Sequence, residues 1–124
     1  MQAPTAAQVD LFETNNATMQ DALQFGVVGD TSWSFTGMTF KMEVKASRND
    51  VTPLVTWTSA AGQIVVSDAV QRILQFNIPD SAITAALPVG QYVYDLIMLD
   101  GSVPPIRSQL MFGHLFIEQG ITED

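Results

Sequence analysis

The chain of 124 residues contains no cysteine. That excludes a disulfide framework and any thiolate metal site, and it fits synthesis in a reducing cytoplasm. Histidine is nearly as scarce: His114 is the only one. A catalytic zinc site needs about three protein ligands, so only carboxylates could complete one around His114. Lysine and arginine number five against thirteen acids, for a formal charge of −8. Such a surface repels a phosphate backbone, and nucleic acid is not an expected partner. Long hydrophobic runs are missing too. The richest, Tyr92 to Leu99, is interrupted by Asp95 and falls far short of the ~20 residues a bilayer span needs. No membrane segment is expected, and the opening Met1-Gln2-Ala3-Pro4-Thr5 lacks the basic-then-apolar order of a secretory signal.

What is present is alternation. From Met38 to Lys45 apolar and polar residues take turns without exception, the period-two signature of a strand with one buried face. Further strands are expected over Val9–Phe12, Thr18–Phe25, Leu54–Thr58, Gln63–Ser67, Arg72–Ile78, Gln91–Leu99 and Gln109–Glu118. In the last two, both faces carry large apolar residues. Tyr92, Tyr94, Leu96 and Met98 lie on one side of the first, Val93, Ile97 and Leu99 on the other. Such strands belong at the centre of a sheet, or are covered on both faces.

Turn chemistry separates the runs. Gly26-Val27-Val28-Gly29-Asp30 and Ser59-Ala60-Ala61-Gly62 supply glycine where a positive φ is needed, and Asp100-Gly101 marks a hairpin whose tip Pro104-Pro105 keeps irregular. Only Asp80-Ser81-Ala82-Ile83-Thr84-Ala85-Ala86-Leu87 reads as helix, after Pro79, with a capping-type residue at its start and Pro88 and Gly90 as stops. Short strands at regular spacing predict an all-β protein. The specific expectation is an immunoglobulin-like antiparallel β-sandwich of seven or eight strands. One short helical turn bridges the two sheets before the Gln91 strand. A single domain is expected, residues 29–124 forming the sandwich and residues 1–28 an N-terminal strand or arm of the same domain. A chain this long buries about two-thirds of its extended surface, enough for a core without staples.

Catalytic constellations are wanting. By alternation His114 shares a face with Leu110, Phe112 and Phe116, the setting of a packed or edge histidine. No Gly-x-Ser-x-Gly elbow accompanies it, and Gly26-x-x-Gly29 fits neither the dinucleotide nor the P-loop pattern. Asp100-Gly101-Ser102 lacks the further oxygens of a calcium loop. Asp95 is expected to accept hydrogen bonds from its neighbours, and Asn16-Ala17-Thr18, a chance-prone glycosylation pattern, is assigned nothing. No catalytic, cofactor-binding or metal-binding residue is expected, and no cofactor. Trp33, Phe35, Trp57, Tyr92 and Tyr94 are read as core, with a sugar-binding platform as the alternative.

One stretch is familiar. Leu87-Pro88-Val89-Gly90-Gln91-Tyr92-Val93-Tyr94-Asp95-Leu96, then Asp100-Gly101, Gly113 in the last apolar strand, and the exit Glu118-Gln119-Gly120-Ile121-Thr122 resemble a small immunoglobulin-like domain of tailed-bacteriophage structural proteins. Family members show a Gly-x-Tyr-x-Tyr-Asp-Leu strand, an Asp-Gly turn, a glycine in the last strand and a Gly-Val-Thr exit. The resemblance runs from Gly29 onward; Pro104-Pro105 lengthens the tip, and the first 28 residues lie outside it. It implies a non-enzymatic virion structural protein, made in the host bacterial cytoplasm. Such a module attaches to tail, neck or appendage, or decorates the capsid; an adsorption module that binds carbohydrate is a further alternative. Where fibre proteins often continue into another domain this chain stops at Asp124, which favours a separate accessory subunit. The implied partners are other virion proteins and further copies of the chain. The N-terminal segment could dock on a neighbouring subunit, and contacts are expected through strand edges and apolar loop tips, with methionine and aromatic residues at their centre.

Overall fold

The computed structural model describes residues 6–26, 29 and 32–121. Part of the expected Gly26–Asp30 turn and Thr122 of the exit lie outside them. In chain order the elements are β1 (Ala7–Gln8), β2 (Leu11–Thr14), β3 (Ala22–Gln24), β4 (Thr39–Lys45), β5 (Val55–Thr58), β6 (Ile64–Asp68), β7 (Ile73–Phe76), α1 (Asp80–Ala86), β8 (Gly90–Leu99) and β9 (Arg107–Glu118).

The strands form two sheets. The larger has the order β1-β9-β8-β4-β5, with β2 also on β9, and the smaller is β3-β7-β6. The chain thus switches layers mostly in pairs of strands, β4 and β5 in the larger sheet, β6 and β7 in the smaller, β8 and β9 back in the larger. The protein is an all-β sandwich, and α1 makes the crossing from β7 in the small sheet to β8 in the large one.

Alternation decides which residues meet between the layers. Phe40, Met42 and Val44 of β4, Leu96 and Met98 of β8, and Leu74 and Phe76 of β7 are fully enclosed, each worth about 1.5–3 kcal/mol relative to exposure. Phe35 sits among Phe25, Trp33 and Phe40, with ring centroids 5.9, 5.6 and 4.8 Å away. At the foot of β8 the Tyr92 hydroxyl donates to the Pro88 carbonyl oxygen, the corner bond that ties such a strand to its preceding loop.

Four expectations need correction. The expected strand Val9–Phe12 is broken at Val9 and Asp10, and the pieces on either side run parallel to β9, in register Ala7 to Met111 and Leu11 to Leu115. The sandwich is therefore not wholly antiparallel, and Ala7–Thr14 is paired within its own chain, not held out toward a neighbour. Thr18–Phe25 is not one strand. Met19 makes an isolated bridge to Ile78 and β3 begins only at Ala22, with one more ladder bond, from the Phe76 N–H to the Asp21 carbonyl oxygen, just before it. Leu110 does not share the face of His114: a bulge opposite Leu96 and Ile97 inserts it as an extra residue, and it turns inward beside Met111. Finally, Asp80 is not the cap of α1. Pro79 holds that place with no side-chain cap bond, and Asp80 lies in the first turn, where a carboxylate suits the helix dipole.

Candidate interaction surface

The larger sheet has two faces, and among the described residues only the inner one is covered. Register places the outer residues in rows: Lys45 beside Val93 and His114, Glu43 beside Asp95 and Phe112, Lys41 beside Ile97 and Gln109. Val93, Ile97, Leu99, Phe112 and Phe116 are all half-buried on this face. Phe12 of β2 extends the aromatic column, stacked on Phe116 at 4.8 Å and 8° yet 64% exposed.

Within the face lies a depression of about 390 Å³ lined by Glu43, Lys45, Arg48, Val93, Asp95 and Phe112, with Gln109 and Tyr94 completing it. The Arg48 guanidinium, from the loop after β4, sits 5.7 Å over the Phe112 ring, a cation–π contact. Among the described residues the ion pairs are Lys41–Glu43 at 3.5 Å and, when the imidazole is protonated, His114–Asp10 at 3.5 Å. Lys45, Arg48 and Asp95 are in neither. Glu43 and Asp95 stand directly opposite one another, an arrangement of like charges that weakens strand pairing. Asp95 takes only a long bond, 3.4 Å, from the Gln109 amide, in keeping with its expected acceptor role but on the outer face.

At one end of the face the β8–β9 hairpin closes in a pinned tip. The Asp100 carboxylate accepts from the backbone N–H groups of Ser102 at 3.0 Å and Ile106 at 2.9 Å and from the Ser102 hydroxyl. These bonds, Ser102 foremost, hold its carboxyl below the usual carboxylate range. Asp100-Gly101-Ser102 is thus a turn fastened on itself. It presents Val103 and Ile106, 97% and 64% exposed.

The residues weighed for chemistry are placed apart. His114 is on the outer face with Phe116 and Asp10. Among the described residues no three His, Cys, Asp or Glu side chains are grouped to hold a metal ion. Trp33, Phe35, Trp57, Tyr92 and Tyr94 are all buried, so the sugar platform they would have formed is not there. Met19, Met42, Met98 and Met111 are core residues as well. Asn16 of the glycosylation pattern lies against Gly120, where a Cβ would overlap its side chain. Among the described residues no helix is long and apolar enough to cross a membrane.

Two polar features escaped the sequence reading. Arg72 is fully buried at a positive φ of 59°. Its Nε donates to the Phe25 carbonyl at 2.8 Å and its Nη1 to those of Trp33 and Val70 at 3.2 and 3.0 Å, and its guanidinium lies 5.2 Å over the Trp33 ring. It ties the loop after β3 to the β6–β7 turn. Glu13 shares the inward face of Leu11 on β2, and burial, together with a hydrogen bond that the protonated carboxyl donates to Asp21 and the negative charge of Asp21, pushes its carboxyl up to about 8. Parity with Leu11 was the available signal for Glu13; none existed for Arg72. No protein-family model matches the chain, and no curated protein matches it.

Proposed function

We propose that the chain is a non-enzymatic bacteriophage virion structural protein, an immunoglobulin-like accessory module of the tail, neck or appendage whose outer face on the larger sheet is a contact surface needed for its assembly. One observation carries the reading. β8 and β9 are built with apolar residues on both sides, as strands covered on both faces are, yet among the described residues Val93, Ile97, Phe112 and Phe116 have no second layer outside them, only the Arg48 guanidinium over Phe112 and Phe12 stacked on Phe116. A second protein laid on the face supplies the missing layer. The tyrosine-rich strand, the Asp-Gly turn and the glycine of the last strand support the choice of a phage particle, by resemblance to its structural modules.

The test is whether the chain stays with washed particles, and where. Imaging of purified virions is expected to find it at the tail, neck or an appendage. Val93→Asp and Phe112→Asp, which alter only the outer face, are expected to fold normally and be lost from the particle. Presence in many copies over the shell would instead make it a capsid decoration protein. A chain never found with particles would overturn the proposal.

A further inference from the structure

The charge distribution restricts what can cover the outer face. The molecule carries a formal charge of −8, so two copies repel one another over most of their surface. Of its five basic residues Arg72 is buried, and the other four all belong to one face. Lys41 and Lys45 stand on the outer side of β4, Arg48 overhangs Phe112, and Arg107 is opposite Leu99 at the hairpin end. Carboxylates are interleaved with them, Glu43 and Asp95 in the centre and Glu118 and Asp10, beside His114, at the margin. Elsewhere among the described residues the exposed charged side chains are acidic only.

Within one chain these opposite charges satisfy each other only in part: Lys41 pairs with Glu43 at 3.5 Å, and the other basic residues of the face form no ion pair among the described residues. Arg48 is engaged by the Phe112 ring, Lys45 has no ion-pair partner among the described residues, and Asp95 faces Glu43 across the strand pair. A cation placed against Asp95 and an acid placed against Arg48 would relieve both, and a surface that carries both groups in the same depression offers both at once. A two-fold axis through the depression brings each Arg48 to the other copy's Asp95, which is the self-complementarity an isologous contact needs.

Resting on the reading that the outer face is a contact surface, we propose that its occupant is a second copy of this chain, the two larger sheets packed face to face with Val93 and Phe112 at the centre and reciprocal Arg48–Asp95 pairs around them. The apolar centre supplies the desolvated patch and the charges fix the register, the usual division of labour in such interfaces.

Sedimentation of the purified full chain over a wide concentration range is expected to show reversible dimers at twice the monomer mass of 13.5 kDa. Arg48→Glu and Asp95→Arg, made separately, are each expected to weaken dimerisation about tenfold or more. In a mixed dimer of the two variants both cross-pairs join opposite charges again, one in the native sense and one with the signs exchanged. The mixture is therefore expected to dimerise more tightly than either component alone, and circular dichroism of each variant alone checks that it folds. A wild-type chain that stays monomeric at every concentration overturns the proposal, as does a dimer that ignores both reversals or a mixture that dimerises no more tightly than its components. The outcome separates from that of the particle test: a monomer found on virions sinks the dimer and spares the virion reading, and a dimer absent from virions does the reverse.

Discussion

The centre of the larger sheet and its N-terminal edge are held by different forces. At the centre, β4, β8 and β9 present Phe40, Met42, Val44, Leu96, Met98 and Leu115 to a common core. That stabilisation is non-directional and spread over many side chains. At the edge, β1 and β2 contribute only Leu11 to the buried core, and the rest is directional. Val9 N–H donates to the Phe112 carbonyl at 2.8 Å, the Tyr94 hydroxyl to the Val9 carbonyl at 2.6 Å, and His114 N–H to the Asp10 carboxylate at 3.1 Å. Such a seam fails when one geometric condition is broken; the centre fails when volume is removed.

The largest expected effect is therefore central. Phe35→Ala removes a ring enclosed by three others and should cost ~3–5 kcal/mol, read as a lowered midpoint in urea with the whole sandwich unfolding as one unit. A loss confined to one sheet would break the view of a shared core.

Next comes the notch in the seam. The chain between β1 and β2 passes so close to β9 that a Cβ on Gly113 would overlap the Val9 carbonyl oxygen. Because the obstacle is backbone, it cannot swing aside. Gly113→Ala should detach Ala7–Thr14 at the cost of a few hydrogen bonds of ~1 kcal/mol each. Amide exchange should then be fast in β1 and β2 and remain slow in β4 and β8. Uniform loss of protection would mean that the seam and the centre are one cooperative unit.

The seam should also be the pH-sensitive part. Glu13 titrates near 8 in the folded chain against an ordinary 4.5, through burial and the neighbouring Asp21. The folded state then holds a proton the unfolded state has released, so this group's share of stability is whole below pH 4.5 and is lost as pH rises through about 8. Glu13→Gln has no proton to lose. Its stability advantage over the wild type should widen between those limits and level off above them, as measured by urea midpoints across pH. An advantage constant with pH would remove the carboxyl pair from the account.

The same division explains what could be read beforehand. Each expected strand has its counterpart because alternation is a local property, and the unbroken run from Met38 to Lys45 became β4 nearly to the residue. The two-sided character of β8 was legible for the same reason, and with it the hint of an outer contact surface. Partners across space were not. Nothing in Val9–Phe12 says that it will run parallel to β9 or break over a glycine near the other end of the chain. The bulge at Leu110 reverses a parity that alternation alone had assigned, and Arg72 is buried by the carbonyls gathered around it, not by any property of its neighbours in the chain.

The smallest effect tests how far the seam extends. Past β2 the Asn15 carbonyl oxygen accepts from the Thr84 hydroxyl of α1 at 3.1 Å, and the Asn15 side-chain oxygen accepts from the Gly120 N–H at 2.9 Å. A Cβ on Gly120 would overlap the Asn16 side chain. Here, unlike at Gly113, the obstacle is the end of a flexible amide on an exposed turn, which can rotate away. Gly120→Ala should therefore cost about 1 kcal/mol or less, the scale of one net hydrogen bond, and should speed amide exchange at Gly120 while leaving Val9 and His114 protected. If it instead released the whole of β2, the clasp at Asn15 and the notch at Gly113 would be a single latch, and the edge strand would be secured mainly from its far end.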